Sequence, residues 1–567
     1  MSDFKREIAE CIAPVSGLAV EEVLGLIARP RDESHGDFAF PCFVLAKQRK
    51  MAPPKIAAEL AAEIQAPPSV SKIEPAGPYL NFFIDRSTRA GRVLEDIERE
   101  AECFGSSDEG KGQKVVIDFS SPNIAKPFGI GHLRSTVIGN AIGRLLRFRG
   151  FETIGVNHLG DWGTQFGMLM VGLERWGDEA AIQASQTPVL DLNDLYVRAN
   201  AESKEDTSIR DEARAWFKRL EDGDAEAQRL WTWFKEVSLK EFERIYQRLG
   251  VTFDHTTGES FFNDKLESTV ETLEKAGLVK ESEGAQVVDL EPYDMPPCLL
   301  RKSDGATLYA TRDLAAALYR HEAYGFDTCL YVVGTPQSLH FQQFFKVLEL
   351  LGKDWAKNLT HVPFGLIKFE GVKMATRLGN LILLDEVLQQ AVDKVLEAIE
   401  EKNPDLENKA EIAEHIGIGA VIFNDLRARR VKDINFRWED VLNFEGESGP
   451  YVQYTYVRFA SILRKADQKA TTNGDVSLLQ TDEERGVLSK LEQFPDTVRR
   501  AAAEYEPSIV SNYLLELSAL CNSFLHKHRF LSDDVALTRA RLRLASAVRQ
   551  VLGNGMRLLG MTPVEEM

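Results

Sequence analysis

Two stretches of the chain combine residue types and spacings that suit the binding and activation of a nucleotide. The first, residues 114–139, is KVVIDFSSPNIAKPFGIGHLRSTVIG. Its apolar start predicts a short buried strand, its Ser, Pro and Asn cluster predicts a turn, and the remainder predicts a helix that begins near His132. A glycine-bearing loop at a helix N-terminus is typical of phosphate binding, because free N–H groups and the helix dipole attract anions. In open α/β sheets such loops lie beyond the carboxyl ends of the strands.

The second stretch, KMATRLGN at residues 373–380, follows a strand-like run and carries Lys373, Thr376 and Arg377 among small residues. Cations on such a loop stabilise the charge that develops when an α-phosphate is attacked and pyrophosphate leaves. A single GIGH tetrapeptide is more typical of an ordinary helix start than of a ligand site. The two stretches together, about 240 residues apart within an α/β pattern, predict one nucleotide site.

The composition is that of an ordinary globular protein. The 567 residues predict three or four domains, and 44% hydrophobic with 27% charged residues is typical of soluble proteins. No run approaches the ~18 apolar residues of a membrane span, and acidic residues near the N-terminus exclude a secretory signal. Six scattered cysteines without a CxxC pair disfavour a structural zinc site or a disulfide framework, so we expect a cytoplasmic protein.

The net charge of −19 argues against a general nucleic-acid-binding protein, which is usually basic. From residue 451 onward 15 Lys and Arg face 14 Asp and Glu, so the first 450 residues carry a net charge of −20. A nearly neutral C-terminal part with local Arg clusters is compatible with RNA binding, whereas the acidic remainder repels non-specific contacts. An ordinary acidic surface is the simpler explanation of the charge alone.

The order of predicted elements divides the chain into three domains. Residues 1–110 combine helices with a strand at 77–85 into an α+β domain, and FGSSDEGKG at 104–112 is typical of a linker. Residues 111–390 alternate strands and helices around a helical insertion at about 178–265, as a split doubly wound sheet does. Strand-like runs at 285–290, 328–334 and 361–371 resume that alternation. From Asp385 to Leu559 the pattern is wholly helical, which predicts an all-α domain over residues 391–567.

The two stretches also carry a resemblance to a known family. GIGH and KMATR resemble the HIGH and KMSKS signatures of class I aminoacyl-tRNA synthetases. Four blocks are similar to arginyl-tRNA synthetases in particular: FSSPNIAKPFGIGHLRST, NHLGDWGTQFG, LYATRDLAAALYR and FEGESGPYVQYTYVR. The resemblance covers nearly the whole chain, and LLGMTPVEEM is similar to the family's usual ending, so we expect a complete chain. It implies a Rossmann-type doubly wound parallel sheet as the catalytic domain, an N-terminal α+β domain that contacts tRNA, and a C-terminal all-α anticodon-binding domain.

The resemblance further implies the reaction. L-Arginine and ATP form arginyl-adenylate and pyrophosphate, and the arginyl group then passes to the terminal ribose of tRNA(Arg). The substrate's own carboxylate is the nucleophile, so the protein supplies orientation and charge stabilisation. ATP is a substrate accompanied by Mg²⁺, which needs no dedicated protein cage. We expect no structural metal, no membrane partner, no editing domain and a monomeric protein.

A guanidinium group is a planar fork of donors, so its pocket should contain carboxylates. Asp118 and Asp313 stand at family positions for that task, and Tyr309 would share a helix face with Asp313 and cover the guanidinium plane. The remaining arginine contacts implied by the resemblance are Ser121, Asn123, His132 and Gln337. Each residue has a structural alternative: turn or cap positions for Asp118, Ser121, Asn123 and Gln337, core packing for Tyr309, a helix-start position for His132, and surface pairing with Arg312 or Arg320 for Asp313.

The resemblance assigns ATP to both signatures. The expected catalytic residues are Lys126, His132, Lys373 and Arg377, and the nucleotide site adds Gly129, Gly131, His340, Met374 and Thr376. Gly129 replaces the first His of HIGH, so one phosphate contact is missing or is made by backbone N–H groups, which Gly admits at close range. Thr376 replaces a Lys of KMSKS, and Lys126 is expected to substitute for it. A solvated lysine is the alternative for Lys126, and a structural histidine is the alternative for His340.

Three groups of residues are candidates for contact with tRNA. Aromatic residues at 451–459 could stack unpaired bases, and a second edge comprises Phe524, His526, His528 and Arg529. A third group, Arg427, Arg429, Arg430 and Lys432, could touch phosphates. The aromatic groups are also compatible with buried helix faces, and the basic group with a solvated one.

Two other functions fit parts of the sequence. A nucleotidyltransferase for a smaller substrate would use the same GIGH loop, but it would not need the long helical C-terminal half or the LYATRD block. A catalytically inactive tRNA-binding homologue would explain Gly129 and Thr376, but not the presence of Lys126 and His132. Arginine-dependent exchange between ATP and pyrophosphate, measured with and without tRNA(Arg), separates these functions.

Overall fold

Three structural units follow one another along the chain of the computed structural model, which describes residues 2–30, 32–303, 305–373, 382–466 and 474–567. Their apolar patterns determine how each unit packs. Within the described ranges, no helix is long and apolar enough to cross a membrane.

The first unit packs helices on a small antiparallel sheet. It contains α1 (Ser2–Ser16), α2 (Val20–Leu26), β1 (Phe38–Pro41), α3 (Ala46–Arg49), α4 (Pro53–Glu63), β2 (Val70–Ala76) and β3 (Tyr79–Ile84). Helix α5 (Arg86–Glu100) follows this unit, but its apolar residues, among them Leu94 and Ile97, belong to the main core of the chain. The sheet order is β1–β3–β2, and its apolar face buries a separate core that includes Phe40, Leu60 and Phe82. The expected strand at 77–85 is therefore β3. Helix α5 begins where the Asp85 carboxylate accepts the Thr88 N–H at 2.9 Å, a typical N-cap.

The second unit alternates strands and helices. In chain order it contains β4 (Lys114–Asp118), α6 (Leu133–Phe148), β5 (Glu152–Leu159), α7 (Thr164–Trp176), α8 (Glu179–Ala184), α9 (Pro188–Glu202), α10 (Ser208–Glu221), α11 (Ala225–Leu249), β6 (His255–Gly258), α12 (Leu266–Lys275), β7 (Val279–Ser282), β8 (Ala285–Val288), β9 (Cys298–Arg301), α13 (Tyr309–Tyr324), β10 (Thr328–Tyr331), α14 (Ser338–Leu350), β11 (Leu359–His361), β12 (Ile367–Phe369) and β13 (Val372–Lys373). Five strands form a parallel sheet in the order β11–β10–β4–β5–β6. The sheet grows outward from β4 in both directions, which confirms the doubly wound arrangement.

Two sequence-based expectations about this unit need correction. The run at 285–290 supplies β8, which belongs to a separate antiparallel sheet of β7, β8 and β9 and not to the parallel sheet. An apolar run cannot reveal its partners, and the two-residue turn between β7 and β8 makes β8 a hairpin strand. Strand β6 is an edge of the parallel sheet although it lies inside the range 178–265 expected for the helical insertion, so the helices of that range end with α11.

The third unit is built mainly from helices. It contains α15 (Leu384–Lys402), α16 (Lys409–Leu426), β14 (Ile434–Phe436), α17 (Trp438–Val441), α18 (Gly449–Lys465), α19 (Asp482–Glu492), α20 (Phe494–Ala503), α21 (Ser508–Lys527) and α22 (Val535–Leu558). The expectation of a wholly helical pattern after Asp385 is wrong at β14, which pairs in parallel with β12. A three-residue strand is too short to give a periodic signal, and its partner lies more than 60 residues earlier.

One buried carboxylate joins the first unit to the third. Glu492, at the end of α19, lies 3.1 Å from a guanidinium nitrogen of Arg29, and it accepts the Arg89 Nε–H at 2.8 Å. Arg89 also pairs with Asp37 and donates to Ser489. Glu492 is only 6% exposed. The cations that balance its buried charge are Arg29 of the first unit and Arg89 of α5.

Replacing Glu492 by Gln should therefore weaken this junction. The substitution removes the carboxylate charge that Arg29 and Arg89 share, although Arg89 keeps Asp37, and this should lower the free energy of unfolding by about 2 kcal/mol. The measurement is urea unfolding of the full chain, followed by tryptophan fluorescence. Glu504→Gln is the matched control, because Glu504 pairs with Arg500 on the exposed face of α20 and exposed pairs contribute below ~1 kcal/mol. Equal unfolding curves for the two variants would contradict the assigned role of Glu492.

Candidate active site

The candidate site lies where the parallel sheet changes direction. Strands β4 and β10 are neighbours in register, with Asp118 opposite Tyr331 at their carboxyl ends. From β4 the chain builds the sheet on one side through β5 and β6, and it later returns on the other side through β10 and β11. Loops leaving adjacent strand ends in opposite directions open a crevice at this point, where ligands bind in such sheets.

The loop after β4 has a backbone that residues other than glycine rarely adopt. Ser120, Ser121 and Ala125 have φ values of 72°, 52° and 56°. Buried hydrogen bonds hold this conformation: the Ser120 hydroxyl lies 2.8 Å from the Tyr246 hydroxyl, and the Ala125 N–H donates to Ser238 Oγ at 2.8 Å. Both partners belong to α11, so the helical insertion supports a strained loop of the kind that persists at functional sites.

The same loop fits closely against the NHLGDWG block that follows β5. The Ile124 N–H donates to the Gly160 carbonyl at 3.2 Å, and the Gly160 N–H donates to the Pro122 carbonyl at 3.0 Å. A Cβ at residue 160 would lie 2.0 Å from Asn123 Oδ1, so only glycine fits there. Asn123 is itself exposed. The expected ligand residue is thus held by backbone pairing and by the absence of a side chain at Gly160.

Asp118 lies at the floor of the crevice and already has partners from the chain. One carboxylate oxygen is 2.8 Å from an Arg320 guanidinium nitrogen, and the other accepts the Ser121 hydroxyl at 2.9 Å. Burial works against the charge of Arg320, but Asp118, Tyr331 and Cys329 together outweigh burial and raise the pKa of Arg320. The structure therefore joins two predicted residues, Asp118 and Ser121, through a hydrogen bond. It also pairs Asp118 with Arg320, a partner that the sequence analysis considered only for Asp313.

Tyr309 and Asp313 occupy the first two turns of α13, as their spacing predicts. Tyr309 is 69% exposed, which removes core packing as its explanation. Asp313 Oδ2 lies 2.5 Å from His340 Nε2. His340 was expected on the nucleotide side, but α14 starts directly beside α13 and brings it against the predicted arginine carboxylate. Gln337 is exposed in the short turn between β10 and α14, with no side-chain partner there among the described residues.

Two titratable residues of the crevice were not identified from the sequence. Burial raises the pKa of Glu259 to about 7, an effect that Arg312 opposes and Asp313 reinforces. Burial also lowers the pKa of His158, on which the charges of Asp118, Arg320 and Asp313 act in turn. Glu259 lies beside α13, because Arg312 Nη1 donates to the Glu259 carbonyl at 2.9 Å. His158 lies within the quoted NHLGDWG block, but Glu259 follows the edge strand β6 in GES, which carries no motif.

The GIGH loop forms the other wall of the crevice. Residues 130–132 make a single turn, and α6 begins at Leu133, one residue from the expected start. Burial lowers the pKa of His132 to about 4, so its imidazole is neutral near pH 7. Its Nδ1 is buried and has no hydrogen-bond partner among the described residues. Gly129 is buried and Gly131 is exposed, with nothing within 4 Å of a Cβ built at Gly131.

Lys126 lies between the GIGH loop and the insertion. Its Nζ is 5.4 Å from the centre of the Tyr196 ring on α9, within the range of a cation–π interaction. Its charge also contributes to the lowered pKa of His132, after burial. The two residues therefore face the same part of the crevice.

The second signature begins at the end of β13, where the backbone of Lys373 pairs with Lys368. Met374, Thr376 and Arg377 lie outside the described residues. Directly after that stretch, the Ile130 N–H donates to the Ile382 carbonyl at 2.9 Å, and the Leu384 N–H donates to the Phe128 carbonyl at 2.9 Å. The chain that follows the second signature is thus hydrogen-bonded to the loop of the first.

The candidate tRNA contacts divide into buried and exposed residues. Tyr456, Phe459 and Phe524 are buried and serve the core, whereas Tyr454 is 42% exposed. In the basic group, Arg430 donates to the carbonyls of Tyr505 and Pro363, and the remaining exposed members include Arg429 and Lys432. The last edge keeps His526 and Arg529 exposed, while His528 contacts Glu483. In the first unit, Phe43 and Tyr79 are exposed and contact each other edge to face.

No group of three or more His, Cys, Asp or Glu side chains within the described ranges is arranged to hold a metal ion. One wall of the crevice carries the carboxylates of Asp313 and Glu259. The other wall carries the cationic Lys126 and the N-terminus of α6, which attracts anions. A cationic group and a polyphosphate can be held side by side in such a site.

Comparisons with known proteins cover the whole chain. Three family models match: "Arginyl tRNA synthetase N terminal domain" over residues 2–84, "tRNA synthetases class I (R), catalytic domain" over 100–438 and "DALR anticodon binding domain" over 452–567. The arginine–tRNA ligases of Alkaliphilus metalliredigens and Exiguobacterium sibiricum are 47% and 50% identical, over 100% of both chains. The solved Thermus thermophilus arginyl-tRNA synthetase has a TM-score of 0.76 at 26% identity, covering 99% of this chain and 100% of that one. The chain belongs to the arginyl-tRNA synthetase family of class I aminoacyl-tRNA synthetases.

Proposed function

We propose that the crevice at the switch point is the active site for arginine–tRNA ligase activity. The observation that carries this proposal is the meeting of a carboxylate wall with the GIGH loop at the carboxyl ends of β4 and β10. In the first step, a carboxylate oxygen of L-arginine attacks the α-phosphorus of ATP, and pyrophosphate leaves with the bridging oxygen. In the second step, a hydroxyl of the terminal ribose of tRNA(Arg) attacks the arginyl carbonyl carbon, and AMP leaves.

The test is exchange of labelled pyrophosphate into ATP, measured with and without arginine and with and without tRNA(Arg). We expect exchange only when both arginine and tRNA(Arg) are present. Arginine-independent exchange with another small substrate would support a different nucleotidyltransferase. Binding of tRNA(Arg) without exchange under any condition would support an inactive homologue.

On the carboxylate wall, we propose that Asp313 accepts the guanidinium N–H groups and that Tyr309 covers the guanidinium plane. A planar fork of donors pairs best with carboxylates in its plane, and lysine's point charge satisfies that arrangement poorly. Asn123, Ser121 and Gln337 remain our proposal for the other contacts with arginine. Asp118, paired with Arg320, supports the pocket floor and keeps further acceptor capacity towards the substrate. We add Glu259 to the pocket, because its pKa responds to Asp313.

Arginine binding should depend on pH through Glu259. Since the pKa of Glu259 is about 7 in the folded chain, a bound guanidinium must displace a proton below that pH. The KM for arginine should therefore fall about tenfold between pH 6 and pH 8, as the ionised fraction rises. In Glu259→Gln this slope should disappear, and equal slopes in the two proteins would exclude Glu259 from the pocket.

The same group gives a stability test with a definite sign. An unfolded glutamate titrates near 4.5, so the folded chain binds more protons between about pH 4.5 and 7. The free energy of unfolding of the arginine-free protein should therefore decrease as pH rises through this window, relative to Glu259→Gln. Urea unfolding at pH 5 and pH 7.5 provides the comparison.

On the opposite wall, we propose that Lys126 and Lys373 neutralise the β- and γ-phosphates of ATP, and that His132 donates or accepts a hydrogen bond as a neutral imidazole. Gly129 and Gly131 leave backbone N–H groups open to phosphate. Met374, Thr376 and Arg377 keep the ATP roles expected from the signature. His340 orients Asp313 in this proposal and does not touch the nucleotide. Mg²⁺ enters with ATP on phosphate oxygens, in keeping with its preference for substrate phosphates and water.

We propose further that tRNA(Arg) meets the exposed aromatic pair Phe43 and Tyr79 in the first unit and the surface near Tyr454 in the third. Unpaired bases stack on exposed aromatic rings, whereas buried rings cannot serve. The domain limits 1–110, 111–390 and 391–567 remain our division of these roles. We also propose that the chain acts as a monomer in the cytoplasm, where charged tRNA is used in protein synthesis.

A further inference from the structure

One buried arginine near the GIGH loop, Arg134, takes part in none of the contacts described above. Arg134 is the second residue of α6, two positions after His132, and its side chain is only 1% exposed. A guanidinium group carries five N–H donors, so its burial is costly unless carbonyl or carboxylate oxygens surround it.

The acceptors around Arg134 come from three separate segments. Its Nη1 donates to the carbonyls of Gly365 and Lys432 at 2.7 and 2.8 Å. Its Nη2 donates to the Arg430 carbonyl at 3.3 Å, and its Nε lies 3.3 Å from both oxygens of Asp425 on α16. Burial raises the pKa of Asp425, and the charge of Arg134 opposes that rise. The ion pair of Arg134 and Asp425 is thus a buried contact between α6 of the second unit and α16 of the third unit.

These segments lead directly to Lys373. Gly365 precedes β12, which continues through β13 to Lys373, and Lys432 precedes β14, the parallel partner of β12. The two segments lie so close that a Cβ at residue 365 would be 2.4 Å from the carbonyl carbon of Lys432. Further backbone bonds join them, from the Gly365 N–H to the Arg430 carbonyl and from the Ile434 N–H to the Leu366 carbonyl, both at 2.9 Å.

We propose that Arg134 is a positioning residue that fixes the sheet of β12, β13 and β14, and with it Lys373, against the GIGH loop. The proposal rests on the proposed role of Lys373 in binding the phosphates of ATP. A planar fork can hold two carbonyls and a carboxylate at fixed angles, whereas a lysine in its place keeps the charge but has no such geometry. Among the described residues, the side-chain contacts of Arg134 are with Phe364, Gly365, Asp425, Arg430 and Lys432, none of which belongs to β4, α13 or the turn after β10 that form the arginine pocket.

The test compares steady-state ATP–pyrophosphate exchange in the full chain with tRNA(Arg) present. For Arg134→Lys we expect kcat/KM for ATP to fall 10- to 30-fold, while the KM for arginine changes less than twofold. Small displacements of a phosphate-binding cation have effects of this size. Gly365→Ala leaves the side chain of Arg134 unchanged, but its added Cβ pushes residue 365 away from Lys432. It should give the same ATP-specific loss. Arg134→Met should be worse than Arg134→Lys, because it also leaves Asp425 unpaired.

Arg149→Lys is the matched control. Arg149 caps the opposite end of the same helix, is 7% exposed, and donates to the Gly105 carbonyl and to Glu109. The Arg149→Lys variant should be less stable than the wild type, but its KM values for ATP and for arginine should not change. If Arg134→Lys and Gly365→Ala fold but keep their ATP parameters, or raise both KM values equally, the proposal is wrong. Gly365→Ala alone decides if Arg134→Lys does not fold. Lys373→Ala tests the proposed role of Lys373 separately from that of Arg134. Normal ATP kinetics in that variant would overturn the role of Lys373 itself.

Discussion

In Asp313→Asn, kcat/KM for arginine should fall about 1,000-fold, while the KM for ATP changes less than threefold. The substitution keeps the shape of the side chain but replaces a charged acceptor by an amide that also carries N–H donors. Losing one partner of a desolvated, hydrogen-bonded charge pair costs roughly 2–5 kcal/mol, and ~4 kcal/mol corresponds to the expected factor. His340, 2.5 Å from the carboxylate, fixes its orientation, so the loss falls on a pre-organised acceptor.

The measurement is arginine-dependent ATP–pyrophosphate exchange in the presence of tRNA(Arg), with each substrate varied in turn. Glu322→Gln is the control: it also removes a charge from α13, but at an exposed position near the other end of the helix. It should keep both KM values within twofold. A loss of less than fivefold in Asp313→Asn would mean that another carboxylate, with Glu259 as the first candidate, receives the guanidinium group.

The residues that sequence reasoning located best are those fixed by local chemistry. The turn formers of SSPN do adopt an unusual backbone at Ser120 and Ser121, and the four-residue spacing places Tyr309 and Asp313 on one helix. Strand β4 and the start of α6 follow from an apolar run and a glycine-bearing loop. These features depend on neighbours within a few residues, which a pattern can reveal.

Contacts that depend on distant segments could not be predicted in this way. Glu259 reaches the crevice because β6 pairs with β5, and its high pKa arises from burial by elements far away in the chain. The hydrogen bonds of Arg134 reach segments about 230 to 300 residues later, where three of the acceptors are backbone carbonyls, which no residue type marks, and the fourth is the carboxylate of Asp425. Strand β14 has the same origin: three residues gain a partner only when β12 is already in position.

Arg320 shows how burial reverses an expectation. The sequence analysis left surface pairing with Arg312 or Arg320 as the alternative explanation of Asp313. The helix instead turns Arg320 under the sheet, where it pairs with Asp118 and its guanidinium carbon lies 5.5 Å from the centre of the Tyr331 ring. Asp313 is left free of arginine partners among the described residues and pairs with His340. The carboxylate most exposed to an incoming guanidinium group is therefore Asp313, and the floor carboxylate is already neutralised.

In Lys126→Ala, arginine activation should slow by at least 100-fold, without a change in the affinity for arginine itself. The signature that normally supplies a second lysine has Thr376 at that position, so Lys126 is expected to carry that charge. Stabilising the charge on departing pyrophosphate by ~3 kcal/mol gives the expected factor. The side chain starts from a defined position, with its Nζ 5.4 Å from the centre of the Tyr196 ring on the insertion.

Single-turnover formation of arginyl-adenylate, with tRNA(Arg) bound, measures this step directly. Titration of the neighbouring His132 should not alter the loss between pH 6.5 and pH 8.5, because burial lowers the pKa of His132 to about 4 and its imidazole stays neutral throughout. Lys357→Ala, at an exposed site just before β11 and therefore at the amino end of the sheet, should leave the rate unchanged. A wild-type rate in Lys126→Ala would transfer the task to Lys373 and to backbone N–H groups of the GIGH loop. A loss confined to the KM for arginine would place Lys126 on the wrong wall of the crevice.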